Sequence, residues 1–192
     1  MGAGPLPFPE QPMRTSRFAV PLVAALALTA SADDKGTVVK VNKMTATAPA
    51  DWKSEKPANR LRSYQFKLPG ANDRGDAEVV VMPESSPDVE KNFPRWKAQF
   101  VPPEGKTADD ISKTAKWDVP GATVNVLDVS GTWKYKERPF DPKSKEELKD
   151  DHRVIWVVVS DKDETTHVRL SGPREAVEKH AAAFEKWVKS LK

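Results

Sequence analysis

The sequence predicts an α+β domain, a three-layer α/β/α sandwich whose mainly antiparallel central sheet carries one helix on each face. Residues 154–159 (VIWVVV) are an unbroken apolar run rich in β-branched side chains, which is typical of a central strand buried on both faces. Apolar residues recur at helical spacing after Ser86 and again after Gly172. Because a sheet that is apolar on both faces needs a cover on each, we expect these two helices on opposite sides.

The N-terminal region has the pattern of a cleavable signal peptide. Arg14 and Arg17 form a basic region, residues 18–30 (FAVPLVAALALTA) form an apolar region, and small residues precede a cleavage site between Ala32 and Asp33. The apolar stretch is too short to cross the roughly 30 Å hydrocarbon core of a bilayer. We therefore expect a bacterial periplasmic or secreted protein with no integral membrane segment after cleavage.

The residues before Met13 are rich in proline and glycine, which is unusual ahead of a signal peptide. We expect translation to start at Met13, and a long N-terminal region is the alternative. The chain is then predicted to consist of an N-terminal extension with the signal peptide (1–32), a flexible lead-in (33–43) and a single domain (44–192). The 160 residues from Asp33 onward suit one domain.

The composition excludes several classes of site. The chain has no cysteine, which rules out disulfide partners, thiolate metal sites and cysteine nucleophiles. Downstream of the signal peptide, 29 basic and 27 acidic residues give a net charge of +2, and the two signs are interspersed. Because there is no basic stripe, we expect no nucleic-acid partner.

Several further strands follow from apolar alternation and turn residues. Residues 44–48, 61–68 and 77–82 are short apolar or alternating stretches. Residues 116–119 and 123–129 form a strand pair joined by a Pro-Gly turn. Two bulky apolar residues (VL) are adjacent in the second strand of this pair, which predicts either a bulge or burial of both faces.

The first helix is predicted to begin at residues 86–88 (SPD), which combine a hydroxyl cap, a proline for the first turn and an acid at the positive end of the helix dipole. Its apolar stripe consists of Val89, Phe93, Trp96 and Phe100. Pro94 interrupts the stripe, so either the helix kinks there or its regular part begins at Asn92.

The last third of the chain is predicted to contain a long loop, the final strand and the final helix. Residues 135–151 are dominated by charge and proline, which predicts the loop, and residues 143–149 could form a helical turn within it. His167 and Arg169 alternate with apolar residues in the final strand. The final helix follows Gly172.

Three short motifs carry a resemblance to a known fold. They are Pro49-x-x-Trp52, Asn92-x-x-Arg95-Trp96 and Leu170-x-Gly172-Pro173, with Phe184 downstream. In this combination the chain resembles the PsbP-like fold, which is shared by an extrinsic photosystem subunit, a Ran-binding nuclear-import factor and DcrB-like exported bacterial proteins. The resemblance implies the α/β/α sandwich, with structural roles for Trp52, Asn92, Arg95, Trp96, Gly172 and Pro173. It implies no established activity, and fold analogy supports only a binding or accessory domain.

Neither a metal site nor a catalytic group is expected. Without cysteine, a metal site would have to combine carboxylates with the histidines, and two of these are predicted to lie far from opposite across their hairpin, so exposed strand histidines are expected instead. The histidines are His152, His167 and His180. No G-x-S-x-G nucleophile motif occurs, and the acidic residues cannot be narrowed to a facing pair.

The function predicted from the sequence is therefore a non-catalytic binding or accessory domain of the bacterial envelope. No cofactor is expected, and the partner is an unknown protein or envelope component. The alternative is a hydrolase that acts on an envelope polymer, for which two converging carboxylates would be needed.

The predicted partner surface is the segment at residues 133–151, because loops of this length in compact domains are usually functional or disordered. Its aromatic and arginine side chains are of the types that carry interface energy, namely Trp133, Tyr135, Arg138 and Phe140. The alternative is an idle loop that Phe140 pins to the core.

Arg95 is expected to lock the first helix locally, and a ligand-facing role is its alternative. The tryptophans expected in the core are Trp52, Trp96 and Trp156.

Overall fold

The computed structural model describes residues 1, 2, 4, 36–70, 72–136 and 141–192. The predicted signal peptide and the Ala32/Asp33 cleavage site lie outside the described residues. The chain divides into two units, Met1–Ala32 and Asp33–Lys192, and the second contains every helix and strand of the described part.

Ten strands and two helices are present in the described residues. Along the chain these elements are β1 (Val38–Val41), β2 (Met44–Thr47), β3 (Lys53–Glu55), β4 (Tyr64–Leu68), β5 (Ala77–Met82), α1 (Val89–Lys97), β6 (Phe100–Val101), β7 (Ser112–Val119), β8 (Ala122–Lys136), β9 (Glu146–Ser160), β10 (Thr165–Pro173) and α2 (Arg174–Lys189). Eight strands form one antiparallel sheet in the order β3-β4-β5-β10-β9-β8-β6, and β7 also pairs with β8. β1 and β2 form a separate hairpin. The α+β class is confirmed.

The two faces of the sheet have separate cores, as the doubly apolar strand predicts. α2 covers one face, where β9 contributes Ile155, Val157 and Val159. α1 covers the other face, where β9 contributes Val154, Trp156 and Val158. All six of these residues are buried, which confirms a central strand buried on both faces.

The predicted flexible lead-in at residues 33–43 is wrong in its second half, because β1 lies within it. Val39 and Val41 are fully buried in the α2-side core, and they alternate with exposed side chains as a half-buried strand requires. Asn42 fastens the β1–β2 turn to the sheet: its Nδ2 donates to the carbonyl oxygens of Val159 (3.2 Å) and Glu164 (3.1 Å). The folded part of the chain therefore begins before residue 44.

The predicted loop at residues 133–151 is also wrong, since most of it is strand. β8 continues to Lys136 and β9 begins at Glu146, and these two residues are paired across the ribbon. The proposed helical turn at 143–149 is absent for the same reason. Each strand supplies the backbone partners of the other, so the charged side chains can remain solvated without breaking the sheet.

A bulge does occur, but not at the adjacent Val126 and Leu127. The β8–β9 register is unbroken there and both side chains are buried, so burial of both faces explains the sequence. The register shifts instead between Gly131 and Trp133. On β9 the extra residue falls next to Asp151, whose φ of 51° is left-handed, as expected for a bulge.

α1 begins at Val89, earlier than the start at Asn92 that was one of the two predictions. Asp88 is its N-cap and accepts a hydrogen bond from the Lys91 backbone N–H at 3.1 Å. Pro94 therefore lies inside the helix, and a helix that starts at Asn92 is wrong. The helix ends before Phe100, which contributes to the same core from β6.

Two motif residues have structural roles at the α2 side of the domain. Trp52 is buried against Phe184 and Trp187, with ring centroids 6.3 and 5.3 Å apart. At Gly172 a Cβ would stand 2.8 Å from the Cα of Ala77 in the neighbouring strand β5. The motif therefore needs glycine because two backbones approach each other too closely for a side chain.

Candidate functional site

A groove of about 590 Å³ lies on the α1 side of the sheet, and it is the largest of the four cavities considered among the described residues. Its walls come from α1 and the residues after it, from the 83–86 segment and from the sheet strands β8, β9 and β10. The volume falls in the range of roughly 300–1,000 Å³ that is usual for small-molecule sites. The lining includes Arg95, Trp96, Trp133, Trp156, His167 and Arg169.

Tryptophan rings form the apolar lining of the groove. Trp96 from α1 stacks on Trp156 from β9, with centroids 5.4 Å apart and planes 7° from parallel. Trp133 stacks on Phe100 at 6.3 Å, and its Nε1–H donates to Oε1 of Gln99 at 3.3 Å. These rings are held by neighbours on two sides, so the apolar lining is already formed without a ligand.

Arg169 contributes a buried cation to the lining. It lies in β10 directly opposite Trp156 of β9, and its side chain is only 16% exposed. The guanidinium carbon is 5.5 Å from the centroid of the Trp133 ring, and one terminal nitrogen donates to Oε1 of Glu78 at 3.1 Å. Its Nε is buried and has no hydrogen-bond partner among the described residues. Burial lowers the pKa of Arg169 because it disfavours the charged form.

The charged residues that line the groove give it a net positive charge. Cationic residues outnumber acidic ones in the lining, which contains Arg95, Lys134, Lys136 and Arg169 against Glu84 and Glu146. Lys136 and Glu146 pair with each other at 3.8 Å. Arg95 is exposed, lines the groove and donates to Oδ1 of Asn92 at 2.9 Å, a contact within α1.

His167 ties the 83–86 segment to the sheet. Its Nε2 lies 2.7 Å from the carbonyl oxygen of Ser86 and must carry the proton, since a carbonyl only accepts. The same oxygen accepts from Nδ2 of Asn92 at 3.1 Å, so two buried side chains fix this wall of the groove. Burial lowers the pKa of His167, with its contact to Ser86 acting in the opposite direction.

The expectation of exposed strand histidines is wrong, because both faces of the sheet are covered where they lie. His167 is buried against the edge of Trp96 at 5.0 Å, and His152 is partly buried 6.2 Å from Trp133. The two are not opposite each other: His167 pairs with Val158, which lies six residues from His152 along β9. In the described ranges no three histidine or acidic side chains group as metal ligands would.

The predicted binding residues are only partly brought together. Trp133 lines the groove, and Tyr135 lies beside it with ring centroids 5.1 Å apart and with the Lys149 ammonium 4.2 Å from its own ring. Arg138 and Phe140 lie outside the described residues. Two of the motif residues, Arg95 and Trp96, also line the groove.

The sequence reasoning missed Arg169, His167 and Trp156 as members of one site. Alternation within β10 places the first two on the same face of the sheet, which is a signal that the sequence contains. Their union with Trp156 depends on the β9–β10 register. That register cannot be read from either strand alone.

Comparison with known proteins gives similarity at the level of solved structures. No protein-family model and no curated protein matches the chain. One similar structure is PA94, a protein of unknown function from Pseudomonas aeruginosa, at 14% identity and a TM-score of 0.47, covering 81% of this chain and 95% of that one. Another is the cyanobacterial PsbP of Synechocystis, at 10% identity and a TM-score of 0.46, covering 85% of this chain and 95% of that one. A PsbP is among the solved structures to which this chain is similar. No helix in the described residues has the length and apolar character needed to span a membrane.

Proposed function

We propose that this protein is an exported, non-catalytic binding domain of the bacterial envelope, and that the groove beside α1 is its binding site. The observation that carries the proposal is the groove itself, a cavity of about 590 Å³ lined by three tryptophans and by four cationic residues against two acidic ones. A concave, mostly apolar site with a few convergent polar groups is the usual form of a ligand site.

The rigidity of the lining supports binding as the function. Trp96 and Trp156 are stacked on each other, and the carbonyl of Ser86 is held by two donors. A site whose side chains are already ordered loses less conformational entropy when a ligand arrives. The groove is therefore preorganised for an occupant.

The polar groups of the groove support binding over hydrolysis. Glu146 is paired with Lys136, and the Nε2–H of His167 is committed to the Ser86 carbonyl, so Glu84 is a single carboxylate where glycoside hydrolysis uses two. Hydrolysis of a polymer by the general acid–base route needs carboxylates or a histidine that are free to exchange protons with the substrate. These partners favour a binding role.

Export rests on the pattern of residues 13–32, and N-terminal sequencing of protein from the native host tests it. We expect the mature protein to begin at Asp33. A mature protein that retains residues before Asp33, or that fractionates with the cytoplasm, would contradict export.

Binding at the groove is tested by co-purification of the full chain from the envelope fraction, followed by mass spectrometry. The change is Arg95→Glu, which reverses one exposed charge of the groove without touching a core. Lys186→Glu is the matched control, because it reverses an exposed charge on α2, which covers the opposite face of the sheet. We expect an envelope component that accompanies the parent and the control but is depleted with Arg95→Glu. Equal recovery with all three proteins would reject the groove as the site.

A further inference from the structure

Two arginines share one carboxylate behind the groove. Oε1 of Glu78 accepts from Arg169 at 3.1 Å, and Oε2 of Glu78 accepts from Arg62 at 2.8 Å. The side chains are 16%, 13% and 32% exposed for Arg169, Arg62 and Glu78. Because arginine stays protonated in proteins, this cluster keeps one positive charge in excess.

An excess charge at such a depth is costly to the folded chain. Buried charges are normally paired and hydrogen-bonded, since transfer out of water removes their solvation. Here the Nε of Arg169 has no partner among the described residues, and its guanidinium carbon lies 5.5 Å from the centroid of the Trp133 ring. An anion in the groove would supply the missing opposite charge.

The mouth of the groove has the same sign. Arg95 bonds to an amide oxygen rather than to a carboxylate. Across residues 36–70, 72–136 and 141–192, neither Arg95 nor Lys134 forms an ion pair, that is, a contact of 4.0 Å or less with a carboxylate oxygen. A negatively charged ligand would therefore meet cations both at the entrance and at the floor.

The rest of the lining fits a flat apolar group. Trp133 and Trp156 border the groove with the 6% and 3% of their surface that stays exposed, and Met82 and Leu61 add aliphatic surface. Aromatic side chains contribute contact area together with a preference for stacked or edge-to-face ring partners. The groove thus combines an apolar compartment with an anion-attracting arginine.

We propose that the groove binds a small organic acid in which a single carboxylate is attached to a planar apolar ring system. The carboxylate faces Arg169 and Arg95, and the ring packs on Trp133 and Trp156. Arginine suits this role because its planar fork matches a carboxylate. This inference rests on the proposed function.

The test is a calorimetric titration of the full chain with 2-naphthoate and with 2-naphthamide, which has the same ring system without the charge. We expect 2-naphthoate to bind at least about tenfold more tightly, because only the acid carries a charge that can pair with the arginines. A tenfold difference in affinity corresponds to about 1.4 kcal/mol. Arg169→Met should weaken 2-naphthoate binding by at least about tenfold and leave 2-naphthamide unchanged. Arg95→Gln, at an exposed position, should weaken 2-naphthoate binding in the same direction and keeps the test valid if Arg169→Met does not fold.

Arg153→Met is the matched control, because Arg153 is a partly buried arginine of β9 that pairs with Asp128. It alternates with Val154 and so belongs to the face opposite the groove. Its substitution should leave both titrations unchanged. Each variant is titrated only if its circular dichroism spectrum matches that of the parent, which shows that it is folded.

Two results would overturn the inference. One is equal affinity for the acid and the amide with no effect of Arg169→Met, which would show that the charge is not used. The other is no binding of 2-naphthoate at all. Binding at the groove, which is part of the proposed function, is tested separately and fails when Arg95→Glu leaves the envelope co-purification unchanged.

Discussion

Trp156 is the residue whose removal should cost the domain most. It is 3% exposed in the central strand β9, stacked on Trp96 at 5.4 Å and in edge contact with Phe100 at 6.1 Å. We expect Trp156→Ala to lower the free energy of unfolding, because a cavity replaces a ring that both α1 and β6 pack against.

The magnitude follows from the burial. A buried tryptophan removes up to about 250 Å² from water, which at about 25 cal/mol per Å² gives an upper bound of about 6 kcal/mol. The alanine that remains recovers part of this, and large-to-small changes at buried aromatic sites cost about 3–5 kcal/mol. We therefore expect a loss of about 4 kcal/mol, a large share of the 5–15 kcal/mol typical of a domain.

The assay is urea unfolding of the full chain followed by far-ultraviolet circular dichroism, since the substitution removes a fluorescent reporter. Trp117→Ala is the matched control, because Trp117 is a tryptophan of β7 that is only half-buried. It should cost distinctly less than Trp156→Ala. Equal losses for the two variants, or a loss below about 1 kcal/mol for Trp156→Ala, would refute the placement of Trp156 in a tightly packed core.

Three further changes test other parts of the fold. Gly172→Ala should cost about 1–3 kcal/mol in the same urea assay, because its Cβ would stand 2.8 Å from the Cα of Ala77; an unchanged midpoint would contradict this close approach. Asn42→Ala should cost about 2 kcal/mol because it removes the donor to the buried Val159 carbonyl and the acceptor of the buried Thr166 hydroxyl, and Asn42→Asp, which keeps the shape and the acceptor but loses the donor, should not fully restore it. Burial lowers the pKa of His167 from 6.5, so the folded state binds fewer protons than the unfolded state below about pH 6.5. Stability should therefore be full above that pH and fall as the pH drops toward 5, and His167→Gln should flatten the decline; an identical pH profile for the variant would show that another group causes it.

Much of the fold is determined by local patterns. Residues 154–159 are apolar without interruption, so they had to be covered on both faces, and the cap at Asp88 acts within its own segment. These features depend on backbone preference and on the removal of apolar surface from water, and both can be read along a short stretch of chain.

The charged segment at residues 133–151 shows where local reading fails. Charge and proline usually mark loops, yet β8 and β9 pair through Lys136 and Glu146. The hydrogen bonds that make these residues strand are donated and accepted by the partner strand, so composition does not record them.

The groove was decided by the tertiary structure alone. Sequence alternation could place His167 and Arg169 on one face of β10. Their partners are distant in the chain, however: Glu78 is 91 positions from Arg169, and Ser86 is 81 positions from His167. The charge balance of Arg62, Glu78 and Arg169 exists only because β10 lies between β5 and β9. Burial and ion pairing are properties of neighbours in space, and a sequence specifies those neighbours only through the register of its strands.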